Sequence, residues 1–314
     1  MPQRIVWPDG KDFAFTIFDD PDCDTVENVA ALYSFIGDLG LRTTKAVWPI
    51  KGNCTPRIGG TTCEDQPYLR WMQDLQDDGF EIALHNVTYH TSVREETRRG
   101  LETFRRLFNH YPNSFANHTG CYEGIYWGRA RLSGIQRVIY DLLHLRPNGQ
   151  SQTFEGHIET SPLFWGDLCK DNIRYVRNFT LDDINTLKAC PVMPYHDALR
   201  PYVNYWFAAS EGRGVDSFTE TLCESNQDRL ALEGGACIMY THLASGFFVN
   251  GELNSRFKFL LERISRMNGW FVPVRTLLDY VRHVRGSHVI TTAERNALER
   301  RWLWHKIFHT NGRS

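Results

Sequence analysis

The feature that most constrains the fold is an alternation of apolar runs with amphipathic stretches. Apolar, β-prone runs occupy 13–18, 43–50, 79–84 and 235–240, and helix-like patterns with one apolar face separate the first three. Strands that alternate with helices at roughly 30-residue intervals indicate βα units and a parallel sheet. The sequence therefore predicts an α/β fold whose sheet is either open or closed into a barrel.

The middle of the chain lacks a clear period of either kind and is rich in aromatic residues and proline. We expect an irregular aromatic-rich insertion at about 120–225 and a helical C-terminal extension at about 275–314. The aromatic residues fit a carbohydrate groove or a core of long loops equally well. Because no repeat, low-complexity tract or flexible linker interrupts residues 1–314, a single domain is the simplest prediction.

Composition and charge exclude several classes of partner. The net charge is −2, whereas a protein that binds nucleic acid or an anionic membrane usually has a basic excess. No run approaches about eighteen uncharged apolar residues, so no membrane span is predicted. The N-terminus lacks the apolar segment of a secretory signal, and the eight cysteines form no C-x-x-C pair. We therefore expect a cytoplasmic protein with reduced thiols.

Residues capable of chemistry follow several of the predicted strands. Parallel α/β folds gather the carboxyl ends of their strands on one face, where binding sites form. Residues distant in the sequence are therefore expected to converge there. They are Asp19 and Asp20, His85, Asn117 and His118, and His242.

These residue types suit a metal-dependent hydrolase. His85 and His90 supply imidazoles that bind zinc well, and Asp20 can complete a His/His/Asp set with open positions for water and substrate. Asp19 can then take a proton from the water, and His242 can protonate the leaving group. A lone histidine is more often a structural residue. Because several occur at strand ends beside an Asp-Asp pair, we expect one divalent metal ion, with zinc as the first choice, and hydrolysis of an amide or ester.

Three segments resemble the motifs of a known family. The run Thr16–Pro21 (TIFDDP) resembles a T-F-D-D-G-P motif, and Gly79 to His90 resembles G-H-E-I-G-x-H-[ST]-x-x-H. The run Ile238–Leu243 resembles a late motif in which an apolar strand ends in L-x-H. In this order, the motifs are similar to those of the polysaccharide deacetylases, the NodB-homology or carbohydrate esterase family 4 group.

This resemblance implies a distorted (β/α)₇ barrel that uses a divalent metal ion to remove acetyl groups from N-acetylated sugars. By the same resemblance, Asp19 is the general base, and Asp20, His85 and His90 are the metal ligands. His242 is the general acid. The substrate partner is then a carbohydrate, and a cytoplasmic location fits surface polysaccharide biosynthesis.

The chain departs from the family pattern in its first two motifs. Pro21-Asp22 replaces the Gly-Pro that follows the two aspartates, so the loop beside the base differs. The family's two histidines are four residues apart, whereas His85 and His90 are five apart. A loop can absorb one extra residue and a regular helix cannot. His118 is therefore an alternative ligand to His90.

The family's third motif, R-x-P-[YF], is missing after the short strand near 113–116, where Asn117 and His118 stand instead. The family's arginine braces the catalytic aspartate. Arg200 and Tyr202, in the run Arg200-Pro201-Tyr202, are candidates for this task, although a turn with an exposed arginine explains the run equally well. Asp167 is a further candidate for orienting the catalytic groups.

Two other functions fit the same residues. The first is a hydrolase of another non-peptide amide on the same fold. The second is a catalytically silent relative that only binds carbohydrate, which the altered first motif and the missing third motif favour. No G-x-S-x-G, P-loop or G-x-G-x-x-G motif supports a serine hydrolase or a nucleotide-binding protein.

Overall fold

Seven strands form the central sheet of the computed structural model, which describes residues 5–143 and 153–309. All seven are parallel and follow one another around the barrel in chain order, and the last pairs with the first. The barrel is therefore closed. Its strands are β1 (Phe13–Asp19), β2 (Thr44–Val47), β3 (Glu81–Leu84), β4 (Ser114–Phe115), β5 (Tyr175–Leu181), β7 (Tyr205–Ser210) and β8 (Ala236–Thr241).

Helices surround the barrel, and short strands extend it. The helices are α1 (Val26–Asp38), α2 (Gln66–Asp77), α3 (Arg94–Phe108), α4 (Gly134–Leu143), α5 (Gly166–Asn172), α6 (Thr186–Ala189), α7 (Val215–Thr221), α8 (Glu224–Glu233), α9 (Ser255–Ser265), α10 (Val274–Arg285) and α11 (Thr292–His309). The short strands are β6 (Tyr195–His196), β9 (Phe248–Val249), β10 (Glu252–Leu253), β11 (Gly269–Phe271) and β12 (His288–Val289).

The first strand, β1, is buried on both faces and pairs with three other strands. All seven residues of β1 are buried, because the barrel interior covers one face and helices cover the other. It pairs with β8 over Ala14–Asp19, with β2 at its carboxyl end and with β11 at its amino end. This explains why its sequence is a continuous apolar run without alternation.

Helix α1 shows how the local sequence sets an element around the barrel. Thr25 caps its first turn, where the Thr25 hydroxyl accepts a hydrogen bond from the backbone of Asn28 and the Asn28 side chain accepts one in return. The buried face consists of residues at helical spacing, namely Val29, Leu32, Tyr33 and Ile36. The cap and the apolar stripe together fix where the helix starts and which side faces the barrel.

The predicted (β/α)₇ barrel is confirmed, but the expectation of an irregular middle segment is wrong for two stretches. Within 120–225, β5 and β7 are barrel strands that pair with each other. The pattern of β5 is obscured because Arg177 and Asn178 are buried where apolar residues would be expected. The single-domain organisation stays a prediction.

Most aromatic side chains of the middle segment belong to the core. Trp165 and Trp206 are fully buried, as are Tyr175 and Phe207 on β5 and β7. Tyr202 and Phe164 instead pack edge to face near the surface. For the four buried residues, the structure agrees with the interpretation as a packed core.

The C-terminal region is helical, as expected, up to residue 309; residues 310–314 lie outside the described part. A buried ionic network attaches α11 to the barrel. Asp197 accepts hydrogen bonds from Arg200 and from Arg295 of α11, and Arg200 also donates to Glu299 of α11. In the residues described, no helix combines the length and the apolar character that crossing a membrane requires.

The packing of α9 makes a direct prediction about stability. Leu261 of α9 is fully buried, whereas Leu232 of α8 is 82% exposed. Leu261→Ala should lower the free energy of unfolding by about 2–5 kcal/mol because it leaves a cavity. The control Leu232→Ala should change it by less than about 0.5 kcal/mol. Urea unfolding of both variants measures the difference, and equal losses would contradict the described packing.

Candidate metal centre and active site

Acidic residues lie at the end of β1 and in the loop that follows it, and the first of them, Asp19, does not line the cavity described below. Asp19 is fully buried. Its carboxylate accepts hydrogen bonds from Lys45 at 2.7 Å, from the Tyr33 hydroxyl at 3.0 Å and from the backbone of Leu243 at 2.8 Å. Asp19 and Lys45 are direct register partners on β1 and β2. The contacts of Asp19 are therefore structural.

Lys45 fixes both ends of this loop. The fully buried ammonium forms ion pairs with Asp19 and with Asp24, five residues after the end of the strand. Burial raises the pKa of Asp24 to about 7, since the charge of Lys45 offsets only part of the desolvation. We call this arrangement, Lys45 with Asp19 and Asp24, the Lys45 clamp. It holds the intervening residues 20–23 in one conformation.

The second aspartate is paired with an arginine. Arg177 of β5 donates two parallel hydrogen bonds to Asp20, at 3.0 Å to Oδ1 and 2.5 Å to Oδ2. Burial alone would raise the pKa of Asp20, but Arg177, with His85 and His242 nearby, holds it below its usual range. Asp20 is thus an oriented, ionised carboxylate.

The third acidic residue, Asp22, converges with two histidines. Asp22 Oδ1 lies 3.4 Å from His85 Nε2 and 3.3 Å from His118 Nδ1, and these two nitrogens are 3.1 Å apart. Burial alone would raise the pKa of Asp22, but the surrounding histidines hold it well below its usual range. Burial also lowers the pKa of His85, which favours the neutral ring that a metal requires.

This cluster fits a divalent metal ion. Tetrahedral zinc with bonds of about 2.0–2.2 Å places neighbouring ligand atoms roughly 3.3–3.6 Å apart, close to the separations observed here. Asp22 Oδ1 is buried and has no conventional hydrogen-bond donor. Two imidazoles and one carboxylate form a common donor set for such a metal. The residues that fit it are Asp22, His85 and His118.

The two histidines are held at their positions by the backbone and by one buried side chain. The His85 amide donates to the carbonyl of Val47 on β2, and the His118 amide donates to the side chain of Asn86. Asn86 in turn donates to Glu123 at 2.6 Å. Burial raises the pKa of Glu123 to about 7. Residues after β3 and β4 are therefore connected beneath the cluster.

His242 faces the Oδ2 atoms of Asp20 and Asp22, whereas His85 faces their Oδ1 atoms. Its Nδ1 donates to the carbonyl of Arg213 at 3.1 Å, which leaves Nε2 facing Asp22 Oδ2 at 3.3 Å and Asp20 Oδ2 at 4.0 Å. Burial alone would lower the pKa of His242, but the hydrogen bond with Asp22 and the neighbouring carboxylates raise it. This imidazole is suited to carry a proton.

Asp20, Asp22, His85 and His242 line one cavity of about 210 Å³ at the carboxyl end of the barrel. Its volume is below the roughly 300–1,000 Å³ of most pockets for drug-sized ligands, so it suits a compact group. Besides Asp20, Asp22, His85 and His242, its walls include Trp127, Arg131, Asn178, Arg213 and Lys306.

The structure does not bring every expected residue to this cavity. His90 Nε2 accepts a hydrogen bond from Asn53, and its Nδ1 donates to the carbonyl of Thr91, so the ring is engaged outside the cluster. His118, the alternative ligand, takes a place in the cluster instead. Because His90 follows β3 in a loop, the family's helix-like spacing of four residues does not apply.

The other candidates have structural contacts. Arg200 does not reach Asp20, because its guanidinium is bound to Asp197 and Glu299. Asp167 forms a half-exposed ion pair with Arg94, and Tyr202 donates to Glu159. Asn117 does line the cavity, but its amide holds the loop at Ile125, through hydrogen bonds at 2.7 and 3.2 Å.

Sequence reasoning missed two residues, Asp22 and Arg177. The motif alignment assigned the two adjacent aspartates, 19 and 20, to the site and treated Asp22 only as a departure. In the structure, Asp20 pairs with Arg177, and Asp22 is the carboxylate that lies beside His85 and His118. The available signal for Arg177 was a single charged residue within an apolar, aromatic run at 175–181.

Comparisons with known proteins agree with this architecture. A protein proposed to be a polysaccharide deacetylase from Mycobacterium smegmatis has a similar structure, with a TM-score of 0.52 and 13% identity, over 93% of this chain and 98% of that one. The PuuE allantoinase matches with a TM-score of 0.51 and 12% identity, over 90% and 94% of the two chains. The chain has the polysaccharide deacetylase fold. No protein-family model and no curated protein matches the sequence.

The Lys45 clamp predicts a large effect on stability. Lys45→Ala leaves two buried carboxylates uncompensated and should lower the free energy of unfolding by about 3–5 kcal/mol. The control Lys188→Ala removes an exposed ion pair with Glu233 and should cost about 1 kcal/mol or less. Denaturant unfolding at neutral pH compares them. A Lys45→Ala variant as stable as the control would disprove the clamp.

The cluster predicts which histidine binds metal. The full chain should bind about one zinc ion, since three protein ligands form a single site. His118→Gln should weaken zinc binding by more than the roughly 10–100-fold that loss of a supporting residue costs. The matched variant His90→Gln should bind zinc like the unmodified chain. Competitive titration with a chelator measures both affinities, and the reverse order would restore the motif-based assignment.

Proposed function

We propose that this chain is a metal-dependent hydrolase that removes the acetyl group from an N-acetylated sugar. One observation carries the proposal. The Arg177-bound carboxylate of Asp20 lines a small cavity together with Asp22 and His85, which form the cluster with His118. A base and a metal cluster at the strand ends of this fold constitute what amide hydrolysis needs.

The roles follow from the positions of the side chains. Asp20 is the proposed general base, because Arg177 orients it and it lies beside His85, one of the proposed metal ligands. His242 is the proposed general acid, because its Nε2 faces the cavity from the other side while Nδ1 is held by a backbone carbonyl. Asp19, first expected as the base, has a structural role in this proposal.

The proposed metal is zinc, held by Asp22, His85 and His118. When bound, it would polarise the amide carbonyl and lower the pKa of the attacking water. The other groups act on protons: Asp20 accepts one from the water, and His242 delivers one to the leaving nitrogen. Arg177 keeps Asp20 ionised and in place throughout.

The walls of the cavity support a sugar substrate. Trp127 and Tyr240 line the cavity, and aromatic side chains are typical of sites that bind sugar rings. Asn178, Thr180 and Thr119 offer polar groups that can bind hydroxyls. We also propose a setting in surface polysaccharide biosynthesis, for which the support is the family resemblance of the sequence.

A second candidate is hydrolysis of another non-peptide amide. The comparison with an allantoinase at nearly the same TM-score favours it, because this fold then accommodates an activity other than sugar deacetylation. The two candidates share the base and the metal cluster and differ in the substrate. Allantoin therefore belongs in any substrate panel beside acetylated sugars.

Replacement of Asp20 tests the proposal. Asp20→Asn should lower the rate of acetate release from N-acetylated sugars by about 10²–10⁴-fold, because the amide cannot accept the proton. Its zinc content should match that of the unmodified chain, since Asp20 is not one of the proposed ligands. The control Asp167→Asn removes a half-exposed carboxylate outside the cavity and should leave the rate unchanged.

Three outcomes would contradict the proposal. Full activity of Asp20→Asn would exclude Asp20 as the base. Hydrolysis of allantoin without release of acetate from any sugar would favour the second candidate. A zinc-loaded chain that binds sugars and hydrolyses neither substrate would indicate the catalytically silent relative.

A further inference from the structure

The cavity contains a buried arginine that the proposed reaction does not use. Arg131 ends a short 3₁₀ turn, Gly128–Arg131, and is only 6% exposed although its side chain lines the cavity. In the part of the chain that the structure describes, its guanidinium makes no hydrogen bond and no ion pair, and Nε is buried without a partner. A buried charge without such partners is costly.

Aromatic rings compensate only part of this cost. The Arg131 guanidinium lies 3.2 Å from the ring centroid of Trp127 and 5.2 Å from that of Trp302. Such contacts stabilise the flat faces of the cation. They leave the N–H groups, which point outward in the plane of the guanidinium, without acceptors. Burial accordingly lowers the pKa of Arg131 to about 9.

The other charges of the cavity are largely matched. Arg177 pairs with Asp20, and Asp22 faces the histidines. Glu211 is close to His305, and together with Lys306 this residue holds the pKa of Glu211 below its usual range against the effect of burial. Arg131 therefore adds a positive charge for which the cavity walls provide no carboxylate.

The backbone that carries Arg131 is firmly held. Arg200 donates to the carbonyls of Ala130 and Arg131, at 3.1 and 2.6 Å. Glu299 of α11 accepts two hydrogen bonds from Ser133, at 2.7 and 2.8 Å. The buried network of Arg200 thus positions the arginine beside the cavity. This rigidity is typical of a binding group whose geometry must be fixed before the ligand arrives.

We propose that Arg131 is the anchor of an oxyanion subsite, so that the substrate carries a phosphate or carboxylate group besides its acetamide. The subsite deepens the proposed deacetylase function and rests on it for the nature of the substrate. A planar guanidinium matches both oxyanions through two parallel hydrogen bonds. Arg213 at the rim also lines the cavity and adds positive charge. A neutral sugar can offer hydroxyl acceptors to Arg131 but leaves its charge unmatched.

Binding of inorganic phosphate tests the subsite independently of catalysis. Isothermal titration calorimetry of the zinc-loaded full chain should detect phosphate binding. Arg131→Gln should weaken it about tenfold or more, the cost of losing charge-assisted hydrogen bonds. The control Arg70→Gln replaces an exposed arginine of α2 and should bind like the unmodified chain. Equal affinity of Arg131→Gln, or no binding by the unmodified chain, would overturn the proposal.

A second variant covers the case in which Arg131→Gln does not fold, as judged by its thermal unfolding transition. Arg131→Lys keeps the charge and most of the stem but cannot donate two parallel hydrogen bonds. It should bind phosphate more weakly than the unmodified chain. Unchanged affinity in this variant would also overturn the subsite.

Substrate selectivity distinguishes the two sources of negative charge. The panel contains N-acetylglucosamine, N-acetylglucosamine 6-phosphate and N-acetylmuramic acid, which are neutral, phosphorylated and carboxylated. At least one charged sugar should have a kcat/KM about tenfold or more above the neutral one, and Arg131→Gln should reduce this ratio. Preference for the neutral sugar would overturn the subsite and leave the deacetylase function intact. If no sugar is hydrolysed, the proposed function fails, and the phosphate affinities alone decide the subsite.

Discussion

The geometry of the site depends on one buried cation. Lys45 on β2 binds Asp19 at the end of β1 and Asp24 at the start of the next segment, so that residues 20–23 form a short loop fixed at both ends. Such a buried cluster gains little net free energy, but the loss of one partner is costly. The cluster instead fixes the position of the loop. Asp20 and Asp22 project from this loop toward Arg177 on β5 and toward histidines that follow β3, β4 and β8.

Several charged side chains meet at the carboxyl end of the barrel, and most of them have a neighbour that compensates the charge. Arg177 of β5 compensates Asp20, and the histidines after β3 and β4 surround Asp22. The loop after β8 contributes His242, which the Arg213 carbonyl orients. Because closure of the barrel brings these strand ends together, residues more than 200 positions apart act within one cavity. Packing of the barrel and chemistry of the site are thus coupled through β1 and its neighbours.

The sequence predicted the fold well where strands are apolar and periodic. The runs that became β1, β2, β3 and β8, and the helices between them, are evident from their patterns. β5 was missed because Arg177 and Asn178, which line the cavity, interrupt its apolar pattern. β7 is a mostly apolar run, but it lies within an aromatic-rich segment that has no clear period. Polar residues that line a cavity break the apolar pattern by which a buried strand is recognised.

For the site, the sequence predicted the location better than the roles. Strand-end positions correctly indicated that residues near 20, 85, 118 and 242 converge. The assignment within the Asp-Asp pair depended on a contact that no local pattern reveals. Lys45 is 26 residues away from Asp19 in the sequence, and their pairing across β1 and β2 withdraws the first aspartate from the cavity. The ligand role then passes to Asp22 in this account.

A crystal structure of the zinc-loaded protein tests the proposed metal centre most directly. Anomalous diffraction data collected above and below the zinc absorption edge locate the ion without reference to its ligands. The account predicts one peak bonded to Asp22, His85 and His118, with Asp20 still paired to Arg177. A peak bonded to Asp20 and His90, or no peak in this cavity, would contradict it.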